Sequence, residues 1–119
     1  MITVTGPDDV RLHKFLEWAI MREKPLTITY LKQSKDKRGK LLWETREGVR
    51  VPVLEPTIRT IEPWTIEHER TGDAYVRGMD RDTDQPRSWR LDRIQKITYH
   101  RRGRQIIPAW VNTTHRKRA

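Results

Sequence analysis

Cysteine is absent from this chain of 119 residues. Without thiols there can be no disulfide framework, thiolate zinc site, iron–sulfur cluster or cysteine nucleophile. Long apolar runs are absent too. None approaches the roughly 18 residues of a membrane-spanning helix, and the N-terminus lacks the order of a secretory signal. The expectation is a cytoplasmic protein with no membrane partner. Serine is nearly missing: Ser34 and Ser88 are the only two, and neither sits in a nucleophile elbow. No glycine-rich loop offers backbone amides to a phosphate. His13, His68, His100 and His115 stand singly, with no pair at metal-binding spacing. Asp80, Asp82 and Asp84 imitate the opening of a calcium loop. The pattern fails at Gln85, where glycine is needed, and at Leu91, where a bidentate glutamate is needed. Glu67 and Glu69, two apart on an expected strand, share a face, and such pairs are more often solvated surface than catalytic. No catalytic residue, metal or cofactor is therefore expected, and the chain reads as a non-enzyme.

Positive charge is abundant. Lys and Arg number 25 against 16 Asp and Glu, a formal net charge of +9. The excess sits in two places. Segment 32–40 (KQSKDKRGK) carries five cations and one acid, and segment 101–118 (RRGRQIIPAWVNTTHRKR) six cations and no acid, so the remainder is close to neutral. Clustered cations of this kind favour polyanions, nucleic acid above all, through phosphate pairing and counterion release. The bland alternative is a solubility device on surface loops. Lys35, Lys37, Arg38 and Lys40 in the first segment, with Arg101, Arg102, Arg104, Arg116, Lys117 and Arg118 in the second, are the expected electrostatic loop and arm. The loop is read as polar and mobile. The arm is read as tethered by Ile106, Ile107, Trp110 and Val111.

The length suits one domain, taken as residues 1–100 with the arm at 101–119. Pro7-Asp8-Asp9 reads as a helix start. Leu12, Phe15, Leu16, Ala19 and Ile20 then recur at spacings of three and four, and Pro25 ends the pattern, so a helix spans 9–23. Trp18 lies off the stripe and is expected at the core edge. After Pro25 the period becomes two, and strands are expected at 26–31, 41–47 and 49–54. Glu55-Pro56 is read as a break. A further strand follows over 58–69, with Pro63 marking a bend, bulge or edge. Residues 70–73 are a turn, 74–79 a strand, 80–86 a polar turn, and 87–99 alternating strand. One helix followed by short strands at hairpin spacing gives an α+β fold: an N-terminal amphipathic helix, then a small, strongly bent antiparallel sheet or barrel.

Residues 59–94 resemble the WYL domain family. The likeness is carried by Arg59-Thr-Ile61-Glu-Pro63, by Ala74-Tyr75-Val76 with Gly78 and Asp80, and most fully by Arg87-Ser-Trp89-Arg90-Leu91-Asp92-Arg93-Ile94. The naming triplet is degenerate, with Ala74 in place of Trp and Val76 in place of Leu. Upstream, the helix followed by LTITY is similar to the family's opening, so the likeness runs over about 10–99, broken by an apparent insertion at 32–54. It implies an Sm-like, SH3-type β-barrel preceded by a helix. It also implies a ligand-sensing role in bacterial transcription regulators, where ligands are nucleic acids, including single strands, or nucleotide-like molecules. The winged helix-turn-helix and the C-terminal extension that usually flank such a domain are not seen, so a free-standing domain is expected, with any DNA recognition supplied in trans by a protein partner. Bacterial and phage origins, the latter placing it in the host cytoplasm, both fit, as do roles in transcription regulation or defence.

Strand alternation places Tyr75 and Arg77 on one face of their strand, and Arg90 beside them by hairpin pairing. A guanidinium over an aromatic plate suits phosphate and a stacked base. Arg90 is read as an unpaired mid-strand cation, Tyr75 as a stacking plate or a core residue with its hydroxyl at the rim, and Trp64 as core. Arg93 is read as a ligand contact or the partner of Asp92 at a strand end. Arg59 and Arg87 complete the candidate ligand-binding set with Tyr75, Arg77, Arg90 and Arg93. A single-stranded DNA or RNA, or a nucleotide-like ligand, is favoured. The competing reading is an SH3-like adaptor docking on a transcription or replication complex. Oligomeric state is left open.

Overall fold

A computed structural model describes residues 1–100; the basic arm expected at 101–119 lies outside the described residues. Strand β1 (Ile2–Thr3) leads to helix α1 (Val10–Arg22), followed by β2 (Leu26–Gln33), β3 (Trp43–Arg46), β4 (Val49–Pro52), β5 (Leu54–His68), β6 (Ala74–Asp80), β7 (Gln85–Arg90) and β8 (Ile94–Tyr99). Among the described residues there is no helix long and apolar enough to cross a membrane.

The helix begins one residue later than Asp9 because Asp9 is its cap. The Asp9 carboxylate accepts from Arg11 N (2.9 Å) and Thr5 N (3.0 Å), and from the Arg11 guanidinium, satisfying donors that a helix start leaves open. The Arg11 side-chain bond and these amides hold its carboxyl well below the usual carboxylate range. At the other end Glu23 adopts a left-handed conformation (φ 53°), and Lys24 N donates back to Ala19 O (2.9 Å), so the helix stops before Pro25 is reached. The stripe is legible in three dimensions: Leu12, Leu16 and Ala19 are fully buried against Leu26, Ile28, Ile61 and Ile97. Phe15 and Trp18 pack at the rim, where both rings meet Tyr99.

Six strands form one antiparallel sheet in the order β1-β8-β2-β5-β6-β7, and β3-β4 is a separate two-stranded ribbon. The sheet does not close into the expected barrel. Instead it curls, and the Tyr30 phenol oxygen on β2 accepts from Arg90 N at the end of β7 (3.1 Å), across the two intervening strands. Closure fails because β7 ends at Arg90. A 3₁₀ turn (Leu91–Arg93) then carries the chain to β8 on the far side of β2. The expected continuous alternation over 87–99 is corrected accordingly. Leu91 and Ile94 are both buried three residues apart, the repeat of a 3₁₀ turn.

Pro56 does not break β5, which runs for 15 residues. It pairs with Leu31, between the hydrogen-bonded position marked by Ser34 N to Val53 O (2.8 Å) and its alternates, so its missing N–H points away from β2. There β6 is not yet paired, its ladder with β5 starting at Ile61, and no ladder bond is lost. Pro63 marks a bulge, as expected: the β5–β6 register shifts between Pro63 and Thr65. Trp64 is buried there beside Met79, in line with its core reading. Gly72 (φ 90°) makes the expected turn before β6.

Candidate ligand cleft and basic ribbon

Segment 32–40 is more structured than a plain loop. Lys32 and Gln33 still belong to β2, and Lys35 bridges Leu41 around a tight turn. Asp36 organises that turn, its carboxylate accepting from Arg38 N (2.8 Å) and Lys40 N (2.9 Å) while Gly39 takes a positive φ. The segment's one acid is thus spent on backbone, and Lys35, Lys37, Arg38 and Lys40 form no ion pair among the described residues.

The six candidate residues fall into two groups. On the curled face, Arg59 sits opposite Ile28 of β2, and Arg87 opposite Gly78 of β6. Arg93 approaches from the 3₁₀ turn. Together with Lys32 and Lys35 they line an open cleft of about 580 Å³, floored by Tyr30 and Trp89. Five cations face it against two acids, Glu55 and Asp80. Glu55 meets Lys32 at 3.4 Å, and buried Asp80 meets Arg87 at 3.6 Å. Asp80 also accepts from Asp82 N (2.9 Å), and Asp82 from Thr60 N (3.2 Å). The aspartates that resemble a calcium loop therefore brace a turn and orient Arg87. Arg59 and Arg93 make no ion pair among the described residues.

Tyr75, Arg77 and Arg90 form the second group, on the face of β6-β7 opposite Val76 and Trp89. Tyr75 and Arg90 are direct cross-strand partners, as expected, with the guanidinium 5.8 Å from the ring centroid. Arg90 is not unpaired, however. Asp92 takes its Nε (3.0 Å) and Nη2 (2.9 Å), and Asp73 of the 70–73 turn takes Nη2 again (3.2 Å). The bidentate bond to Asp92 fixes Arg90 more firmly in its charged form and lowers the Asp92 carboxyl. The hydrogen-bonded partner of Asp92 is thus Arg90, while the Arg93 charge acts on the same carboxyl without a salt bridge. Arg77 lies 3.8 Å from Glu67. A phosphate reaching this group would have to displace three carboxylates, whereas Arg59 and Arg93 hold no salt bridge that must be broken. Arg101, Arg102, Arg104, Arg116, Lys117 and Arg118 lie outside the described residues.

Three cleft residues escape the sequence reading: Tyr30, Lys32 and Asp80. The signal for two of them is present. Ile28, Tyr30 and Lys32 alternate on one face of β2, so the cation continues the buried row onto the cleft. Asp80 carries no such signal, since its role depends on where Arg87 arrives across the β6–β7 turn.

Comparison with known proteins bears on the fold. A solved structure of proteasome accessory factor B/C (PafBC) of Arthrobacter aurescens superposes with a TM-score of 0.60 at 22% identity, over 95% of this chain and 14% of that one. The chain therefore spans a small part of that protein, and the likeness concerns the fold. No curated protein matches the sequence. The WYL domain profile matches residues 12–99, which take in nearly all of α1, the sheet strands β2 and β5 to β8, and the β3-β4 ribbon. With most of its length accounted for in this way, the chain belongs to the WYL domain family.

Proposed function

We propose that this WYL domain is a non-catalytic regulatory module, in transcription regulation or defence, that senses a polyanionic ligand: a nucleotide-like molecule or a single-stranded nucleic acid. The observation that carries this reading is the cleft, where five cations face two acids and Arg59 and Arg93 form no salt bridge among the described residues. Its volume falls within the range of roughly 300–1,000 Å³ usual for small-ligand sites. The curled sheet is the open counterpart of an Sm-like, SH3-type barrel, with the cleft on its concave side. Arg59 and Arg93 supply charge-assisted hydrogen bonds to phosphate, and Asp80 aims Arg87 at the same volume.

Fluorescence anisotropy with labelled single-stranded DNA, RNA and duplex, at two salt concentrations, tests the proposal. Arg59→Ala and Arg93→Ala are each expected to weaken binding about tenfold, the loss of one charge-assisted hydrogen bond at roughly 1.5 kcal/mol. Wild-type affinity for every nucleic acid in both variants would leave the adaptor reading in its place.

A further inference from the structure

Beyond the cleft, β2 and β5 do not end in a simple hairpin. Ser34 N donates to Val53 O (2.8 Å), Leu42 N to Ser34 O (2.8 Å) and Val53 N to Leu42 O (3.1 Å), so three segments meet at one junction. From it the chain leaves as two fingers. The first is the Asp36-centred turn. The second is the β3-β4 ribbon, closed by Glu47 and Gly48, which both take positive φ as a tight hairpin turn requires.

The second finger displays apolar surface that no core claims. Trp43 is 45% exposed, and its neighbours Leu41 and Leu42 are exposed as well. A lone exposed apolar side chain is ordinary, but three in succession form a patch of the kind that marks contact with something else. The guanidinium of Arg50 lies 4.8 Å from the Trp43 ring centroid, so two flat, stackable groups are already aligned. The surroundings identify the partner. Segment 32–54 carries seven cations against three acids, and two of those acids are engaged locally, Glu44 with Arg46 and Asp36 with backbone amides. An apolar protein surface would find this ribbon ringed by unmatched charge. A nucleic-acid strand offers phosphates to the cations and a base to the ring. Lys35 and Leu41 belong to both the first finger and the cleft wall, so the two surfaces are continuous.

We propose that the two fingers, residues 34–53, are a second binding element that takes a single nucleic-acid strand as it leaves the cleft, with Trp43 and Arg50 stacking on a base and Lys35, Lys37, Arg38 and Lys40 following its phosphates. This rests on the polyanion reading of the cleft, and it sets the ligand's class: a strand, not a free nucleotide.

The test compares wild-type protein with Trp43→Ala, Trp43→Phe, Arg50→Ala and Arg59→Ala. The probes are a mononucleotide, an oligodeoxythymidine and an oligouridine strand of roughly 12 nucleotides, an abasic strand of equal length and a duplex. Wild type is expected to prefer the base-bearing strands over the abasic one. Trp43→Ala is expected to lose about tenfold on the base-bearing strands, to lose nothing on the mononucleotide or the abasic strand, and to keep the wild-type melting temperature. Trp43→Phe is expected to restore most of the loss, and Arg50→Ala to fall between. DNA and RNA strands behaving alike identify stacking without sugar readout, and a preference for either leaves the stacking role intact. Equal binding of base-bearing and abasic strands, or an equal loss of duplex and strand in Trp43→Ala, overturns the proposal. Arg59→Ala separates the two readings. Loss in Arg59→Ala alone keeps the cleft and removes the fingers; loss in Trp43→Ala alone keeps the fingers and removes the cleft.

Discussion

A single missing methyl group lets β5 and β6 approach at the bulge. A Cβ built on Gly78 would stand 2.1 Å from Glu62 O and 2.8 Å from Glu62 C, both backbone atoms of a buried segment that cannot swing aside. Gly78 is thus required by close approach rather than by its backbone angle. Gly78→Ala is expected to cost roughly 3 kcal/mol or more, the range of severe overpacking, as measured by urea unfolding. Stability within about 0.5 kcal/mol of wild type, the range of neutral surface changes, would mean the bulge relaxes freely. Arg90 teaches a different lesson at the same scale. Its charge suggests a ligand, yet its donors are taken by Asp92 and Asp73. The Asp92 partner is two residues away and legible as a pair. Asp73 lies on a turn 17 residues earlier, and only the β6–β7 pairing brings it near.

At the scale of elements, Arg90 is a latch joining the 70–73 turn, the end of β7 and the 3₁₀ turn, while its own N–H reaches Tyr30. The groups are partly exposed, so the pair's value lies in its bidentate geometry and is reduced by solvent screening. The pH dependence follows from direction. The folded-state pKa of Asp92 lies below its ordinary value near 3.9, so its stabilisation is present above that value and is lost as pH falls through the folded pKa. Asp92→Asn is expected to melt a few degrees below wild type at neutral pH, with the gap closing below about pH 4. A gap that is constant with pH would assign the effect to packing. Much of this layer was readable in the chain. The Pro63 bulge and the Gly72 turn each follow from one residue's local chemistry, and the α1 stripe from the spacing of five apolar residues. Pro56 misled because whether a proline breaks a strand depends on which side is paired, and that is a property of the sheet. The 3₁₀ turn was hidden because Trp89, Leu91 and Arg93 fit strand alternation as well as a turn. The candidate site was legible as a charge type and a residue set, but its division between two faces depends on how far the sheet curls.

At the scale of the whole molecule, ten of the cations among the described residues lie in the cleft and the two fingers, and the sequence carries a further six in segment 101–118. Long-range charge and short-range stacking respond differently to salt. Each phosphate neutralised on a single strand contributes roughly −0.7 to the slope of log affinity against log salt, whereas stacking contributes little to it. Deleting 101–119 would also remove Ile106, Ile107, Trp110 and Val111, confusing charge with apolar contact. The sharper variant keeps them and carries Arg101→Gln, Arg102→Gln, Arg104→Gln, Arg116→Gln, Lys117→Gln and Arg118→Gln together. If the segment contacts phosphates, the slope for an oligodeoxythymidine strand becomes shallower by up to about 4, six contacts at roughly 0.7 each. Preference for base-bearing over abasic strands is expected to stay as in wild type, because Trp43 is untouched. An unchanged slope with unchanged affinity would confine phosphate recognition to the cleft and fingers. An unchanged slope with a lost base preference would instead mean that the substitutions disturb the ribbon, and circular dichroism of the variant would then report the altered fold.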